Sequence, residues 1–256
     1  MGYETLIVEK RDHVGIITFN RPSANAWNLV MMTDFEAAIN EMETDKNIRV
    51  IILTGSGEKC FSAGFDVSDA GNTTKIAPKG RELWRKIDRF PKPVIAALNG
   101  HALGGGLELA MSCHFRIMAD SPKAKVGLTE LNLGIIPGWG GTQRLTALVG
   151  KSKALDMILF SKRIGAAEAL AAGLVNQISA PEKLMDDALE FAEKLAQRPP
   201  IAVSFVLKAI STGIYEGIDA GLDVEAEGTD VASRSKDAME GFTAFMQKRD
   251  PVFTGE

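Results

Sequence analysis

The chain is poor in the residues that build disulfide and metal sites. It has two cysteines, Cys60 and Cys113, and three histidines, His13, His101 and His114, in 256 residues. Two isolated cysteines give neither a disulfide framework nor a zinc spacing. They read as small buried hydrophobes in a reduced, cytoplasmic protein. The histidines do not cluster at ligand spacing, which argues against a bound metal. No uncharged apolar run approaches about 18 residues, so no segment is expected to span a membrane. The opening MGYETLIVEK carries acids and enters a strand-like alternation at once, unlike a signal or transit peptide. Position 6 is Leu6, where a myristoylation signal would need Ser or Thr. Lys and Arg are scattered and the net charge is -4, which argues against a nucleic-acid partner.

Familiar catalytic signatures are also missing. The GKS at 150–152 would need a glycine at position 145 to form a phosphate-binding loop, and that residue is Leu145. The GSG at 55–57 lacks the last glycine of a dinucleotide fingerprint, because position 60 is Cys60. There is no G-x-S-x-G elbow and no H-E-x-x-H.

What remains is an ordinary globular composition, 45% hydrophobic and 24% charged, long enough for one domain with a small appendage. VGIITFN (14–20), RVIILTG (49–55), PVIAALNG (93–100) and FRIMA (115–119) read as strands, the second covered on both faces. Thr33 to Glu43 reads as an amphipathic helix with Phe35, Ala38, Ile39 and Met42 on one side. A polar, glycine-containing loop is expected around Asp69 to Gly80, then a helix near Glu82 to Arg89. Ser179, Pro181 and Glu182 suggest a capping-box start for a helix presenting Leu184, Ala188, Leu189, Ala192 and Leu195. Further helices are expected from about Ala202 and from Ser235 to Lys248. The pattern is an α/β core, 1–195, followed by a helical segment, 196–256, of the kind that packs on a neighbouring subunit.

IILTGSGEKCFSAGFD (51–66) and IAALNGHALGGGLE (95–108) echo each other: strand, glycine turn, small residue and glycine, then an acid. Gly104, Gly105 and Gly106 either make a tight strand-to-helix turn or let something approach the backbone closely. In the second case the helix N-terminus offers unpaired N–H groups, and Gly105 could donate to a developing oxyanion, with Ala63 as a second donor. Glu108 follows on the first helical turn. Glu130 lies in an otherwise apolar stretch, KVGLTELNLGIIPG, where an acid holds a raised pKa suited to proton transfer. Taken singly, either glutamate could be a solvated surface acid.

Together, FSAGFD, HALGGGLELAMSCHFRIMAD, VGLTELNLGIIPGWGGTQRL and AAGLVNQI resemble the crotonase superfamily, and within it the enoyl-CoA hydratases. The resemblance implies ββα repeats wound into a spiral, with C-terminal helices that build trimers, commonly paired as hexamers. It implies an acyl-CoA thioester held with its carbonyl between the N–H groups of Ala63 and Gly105. Glu108 would activate a water for the β-carbon and Glu130 would deliver the proton to the α-carbon. No separate cofactor is implied, since coenzyme A is part of the substrate. Ala24 to Ala26 would receive adenine, and Gly64, Phe65, Asp66, Pro137, Gly138 and Trp139 would line the CoA and acyl site. Lys248 would reach a CoA phosphate from a neighbouring subunit. The sequence departs from the usual pattern in a shortened NRPSANAWN, in Leu128 and Thr129 before Glu130, and in Phe65. These departures leave the acyl group open, and with it an isomerase or a hydratase of a branched or cyclic enoyl-CoA. A non-catalytic CoA-binding protein would not need both acids.

Overall fold

The computed structural model describes residues 2–256. An antiparallel hairpin, β1 (Leu6–Arg11) and β2 (Val14–Phe19), leads into helix α1 (Leu29–Thr44), which buries Phe35, Ala38, Ile39 and Met42 on one side. Asn28 caps α1 by accepting the Met31 N–H at 2.9 Å.

Three similar turns of chain follow. β3 (Val50–Gly55) and β4 (Cys60–Ser62) precede helix α2 (Thr73–Asp88). β5 (Val94–Leu98) and β6 (His101–Leu103) precede α3 (Gly105–Ser112). β7 (Phe115–Ala119) and β8 (Val126–Gly127) precede a 3₁₀ turn, Glu130–Leu133. The first strand of each turn joins a large sheet and the second a small parallel sheet, ordered β4-β6-β8. The echo seen between 51–66 and 95–108 is thus a structural repeat, and it aligns the ends of the small strands side by side.

Helices α4 (Gly141–Val149), α5 (Lys151–Leu159) and α6 (Ala166–Ala171) lead to β9 (Gln177–Ser179), which completes the six-stranded sheet β1-β2-β3-β5-β7-β9. All pairings in that sheet are parallel except β1 with β2. Both of its faces are covered, as the apolar run of β3 requires. Ile51 and Leu53 enter the main core, while Val50 and Ile52 face a second layer formed by α7 (Leu184–Ala196). Leu184, Ala188, Ala192 and Ala196 of α7 recur every fourth residue along that contact, with Leu189 and Leu195 half-buried beside them. Cys60 and Cys113 are both buried and free.

Three expectations need correction. The loop expected over 69–80 is a 3₁₀ turn, Val67–Asn72, followed directly by α2, which carries Pro78 inside it. Ile76, Gly80, Leu83, Trp84 and Ile87 form the buried stripe that holds this helix in place despite the proline. The capping box does not form. Ser179 ends β9, its hydroxyl bonds Asp187, and a 3₁₀ turn, Pro181–Lys183, separates it from α7. The C-terminal segment holds three helices: α8 (Pro200–Glu216), α9 (Ile218–Ser233) and α10 (Lys236–Gln247). In the α8–α9 hairpin a methyl added at Gly221 would lie 2.8 Å from Gly213 Cα, so small residues set the close approach.

Near the small sheet, Gly106 meets the sharpest constraint set by backbone. A methyl there would lie 2.2 Å from the Ser62 carbonyl oxygen. Gly106→Ala gains at most about 1 kcal/mol of helix propensity but costs roughly 1–3 kcal/mol in overpacking. The clash wins, so the variant should unfold at lower urea than wild type; an unchanged midpoint would contradict this packing.

Candidate active site

The ends of the three repeats converge on a cavity of about 250 Å³. Ala63 and Phe65 come from the turn after β4, Gly104, Gly105 and Glu108 from the start of α3, and Thr129 and Glu130 from the turn after β8. Val67, Leu133, Ile135 and Ile136 give it an apolar mouth, and Gly138 and Trp139 close another side.

Glu108 is 2% exposed and stands on the first turn of α3. Its Oε1 accepts two backbone N–H bonds, from Trp139 at 2.8 Å and Gly141 at 2.7 Å. Its Oε2 has no hydrogen-bond partner among the described residues. Burial pushes its pKa above the usual carboxylate value, while the two N–H donors and Arg144 pull against that shift. The bonds orient the carboxylate and leave one oxygen for a ligand.

Glu130 is in the opposite condition: both of its carboxylate oxygens are buried without any partner among the described residues. A methyl at Gly104 would lie 3.3 Å from Glu130 Oε1, so this carboxyl overlies the glycine turn. Gly104 has φ +51°, a conformation that suits glycine alone, and any larger residue would crowd the acid. Burial, and then the charge of Glu108, push the Glu130 pKa up to about 7. At neutral pH it can both give and accept a proton.

The N–H donors differ from the expected pair. Gly105 begins α3, and its N–H has no acceptor among the described residues. Ala63, however, donates its N–H to the Ala24 carbonyl at 2.9 Å, so it is not free for a ligand. The free group in that turn is Phe65 N–H. Trp27 and Phe65 form a parallel bridge in which Trp27 N–H bonds Gly64 O and Asp66 N–H bonds Trp27 O. Those bonds leave the N–H of Phe65 itself on the side away from Trp27, without an acceptor among the described residues. Gly64, at φ +88°, turns the backbone between Ala63 and Phe65. A methyl on Gly64 would lie 2.8 Å from Gly105 N, so the two turns meet there. The sequence signal for this exchange was the glycine itself, which breaks the alternation of a plain strand.

Other expected residues lie around the cavity rather than in it. Asp66 pairs with Arg21 at 2.7 Å and caps the following turn through Ser68 N–H at 3.0 Å. The Ala26 carbonyl accepts from Arg21, so Arg21 ties the 24–26 stretch to Asp66. Pro137 packs against Gly141 and faces a neighbouring depression instead of the cavity. Lys248 follows α10 and does not line the cavity. His114 and His101 serve the backbone, their Nδ1 atoms accepting from Val94 N–H at 2.9 Å and Lys125 N–H at 3.1 Å.

A sequence profile described as "Enoyl-CoA hydratase/isomerase" matches residues 9–256. The chain belongs to the enoyl-CoA hydratase/isomerase family. It is 41% identical over 255 residues to a short-chain-enoyl-CoA hydratase of Clostridium acetobutylicum, covering 97% of each chain. It is 38% identical to a crotonyl-CoA hydratase of Syntrophomonas wolfei, covering 99% of each. The crystal structure of an enoyl-CoA hydratase from Bacillus anthracis superposes with TM-score 0.94 at 40% identity, covering 99% of this chain and 100% of that one. The spiral of ββα turns is therefore the crotonase fold of this family.

Burial of Glu130 has a thermodynamic consequence. Its folded-state pKa, about 7, exceeds the ordinary glutamate value of 4.5. As pH rises between those values the unfolded chain releases the proton first, so stability is present at low pH and is lost on the way to about 7. Glu130→Gln keeps the shape without the charge. It should be more stable than wild type above pH 7 by on the order of 1–3 kcal/mol, the difference shrinking toward pH 4.5. Urea unfolding at several pH values checks this, and a pH-independent difference would contradict it.

Proposed function

We propose that this protein is an enoyl-CoA hydratase, adding water reversibly across the 2,3 double bond of a 2-enoyl-CoA to give the 3-hydroxyacyl-CoA. The observation that carries the reading is the meeting, in one apolar-mouthed cavity, of two backbone N–H groups unpartnered among the described residues, the buried Glu108 and the buried carboxylate oxygens of Glu130. An isolated turn or a single acid would support only binding.

The thioester carbonyl oxygen accepts from Phe65 N–H and Gly105 N–H. As water adds to the β-carbon, electron density moves onto that oxygen, and each donor of this kind is worth roughly 10²–10³ in rate. Glu108, with Oε1 already held by two N–H bonds, uses Oε2 to orient the water and take its proton. Glu130 protonates the α-carbon, for which a pKa of about 7 suits it. With that protonation the enolate becomes the saturated 3-hydroxyacyl thioester, and proton exchange through the solvent resets the two acids. The scheme calls on the protein's own groups, the thioester and one water.

The same reading extends to assembly. Among the described residues no helix is long and apolar enough to cross a membrane. Met239, Phe242, Phe245 and Met246 of α10 are nonetheless 73–81% exposed. A trimer, or a pair of trimers, would cover such a face, and Lys248 at the end of α10 would then reach a CoA phosphate of the neighbouring site.

Loss of the conjugated enoyl absorbance of crotonyl-CoA tests the chemistry. Glu108→Gln and Glu130→Gln should each lower kcat by roughly 10²–10⁴-fold. Full activity in either variant would refute the two-acid mechanism. If wild type hydrates no 2-enoyl-CoA at all, the hydratase reading itself fails.

A further inference from the structure

Trp139 divides two spaces of opposite character. On one side lies the catalytic cavity of about 250 Å³, with Glu108, Glu130 and the apolar mouth. On the other lies an open depression of about 540 Å³ lined by Arg81, Arg85, Asp88, Gln143 and Arg144. Gly138 and Trp139 are the only residues common to the two linings.

The indole is held on every side that matters. A methyl added at Gly105 would lie 2.2 Å from its Cζ3, and one added at Gly80 would lie 2.5 Å from its Cε2. The ring therefore sits against the bare backbones of α3 and α2 at once. Trp84 packs edge-on against it, with centroids 5.3 Å apart. The backbone below it is fixed as well: the Trp139 main-chain N–H bonds Glu108 Oε1, and the Trp139 carbonyl accepts from Arg144 at 2.9 Å. A side chain fixed this way does not swing aside for a ligand without disturbing Glu108 and the Gly105 donor.

From this we infer that Trp139 sets acyl-chain length: its indole is the wall that ends the acyl site, so the site takes short acyl thioesters. The inference rests on the thioester reading above and adds to it the identity of the stop. A growing alkyl chain meets the ring first. If it passed, it would enter an open depression where Arg81, Arg85, Asp88 and Arg144 stand beside Pro137 and Tyr215, and where an alkyl chain would have to lie against charged groups. Wall and surroundings thus act in the same direction.

Binding of saturated acyl-CoAs tests this independently of turnover. Dissociation constants for butyryl-, hexanoyl-, octanoyl- and dodecanoyl-CoA are measured by calorimetry on wild type, Trp139→Ala and Trp139→Leu. Wild type should bind dodecanoyl-CoA at least about tenfold more weakly than hexanoyl-CoA, since one misfitting methylene in an apolar pocket already costs about tenfold or more. Either variant should raise the dodecanoyl-to-hexanoyl affinity ratio by at least about tenfold. Affinity in wild type that keeps rising through dodecanoyl-CoA would overturn the inference, and so would folded variants that keep the wild-type profile. Should both variants fail to fold, the wild-type series still decides. Hydration of the matching 2-enoyl-CoAs is read in parallel. A break in chain length without any hydration upholds the wall and refutes the hydratase reading; hydration without a break does the reverse.

Discussion

The site depends on the grip of two backbone N–H groups on one carboxylate oxygen, Glu108 Oε1. Those bonds tie the first turn of α3 to the loop that carries Trp139 and to the start of α4. They satisfy a buried carboxylate that would otherwise be costly, since hydrogen bonds to a charged group are worth roughly 1.5–3 kcal/mol each. They also fix which oxygen remains for a ligand. Through them, the orientation of an acid, the seat of an indole and the exposure of Gly105 N–H become one arrangement instead of three.

Against that satisfied acid stands an unsatisfied one. Among the described residues Glu130 has no partner for either oxygen, and it lies near a second buried carboxylate, so water exclusion and like charge act together on it. Two carboxyls of the same kind are thereby given different tasks by their surroundings, one oriented and one poised to exchange a proton near neutrality. The arrangement costs stability, and that cost is the usual mark of a functional site rather than of a structural core. The free N–H groups of Phe65 and Gly105 are its counterpart: donors left without acceptors where negative charge would develop.

Much of the site was legible in the sequence because its signals are local. Three glycines followed by an acid mark a strand-to-helix turn with exposed N–H groups, and an acid in an apolar stretch marks a desolvated carboxyl. The parallel strands were readable from apolar runs covered on both faces. The misreadings share one cause, which is dependence on distant contacts. Whether Ala63 N–H is free depends on the Ala24 carbonyl, and the turn that frees Phe65 instead depends on the dihedral of Gly64. Helix α2 begins earlier than Pro78 and its neighbouring glycines suggest, because its buried stripe is set by the core it meets. Ser179 looks like a helix cap until β9 pairs with β7 and claims it as a strand end. The role of Trp139 depends on Gly80 and Gly105, which no single stretch brings together.

Catalysis by this site depends on where the thioester oxygen sits, and a crystal structure with bound 3-hydroxybutyryl-CoA measures that directly. The carbonyl oxygen should lie within about 2.7–3.2 Å of both Phe65 N and Gly105 N, with the 3-hydroxyl beside Glu108 Oε2 and the α-carbon beside Glu130. A carbonyl oxygen bonded elsewhere, or a ligand that leaves either N–H without an acceptor, would contradict it.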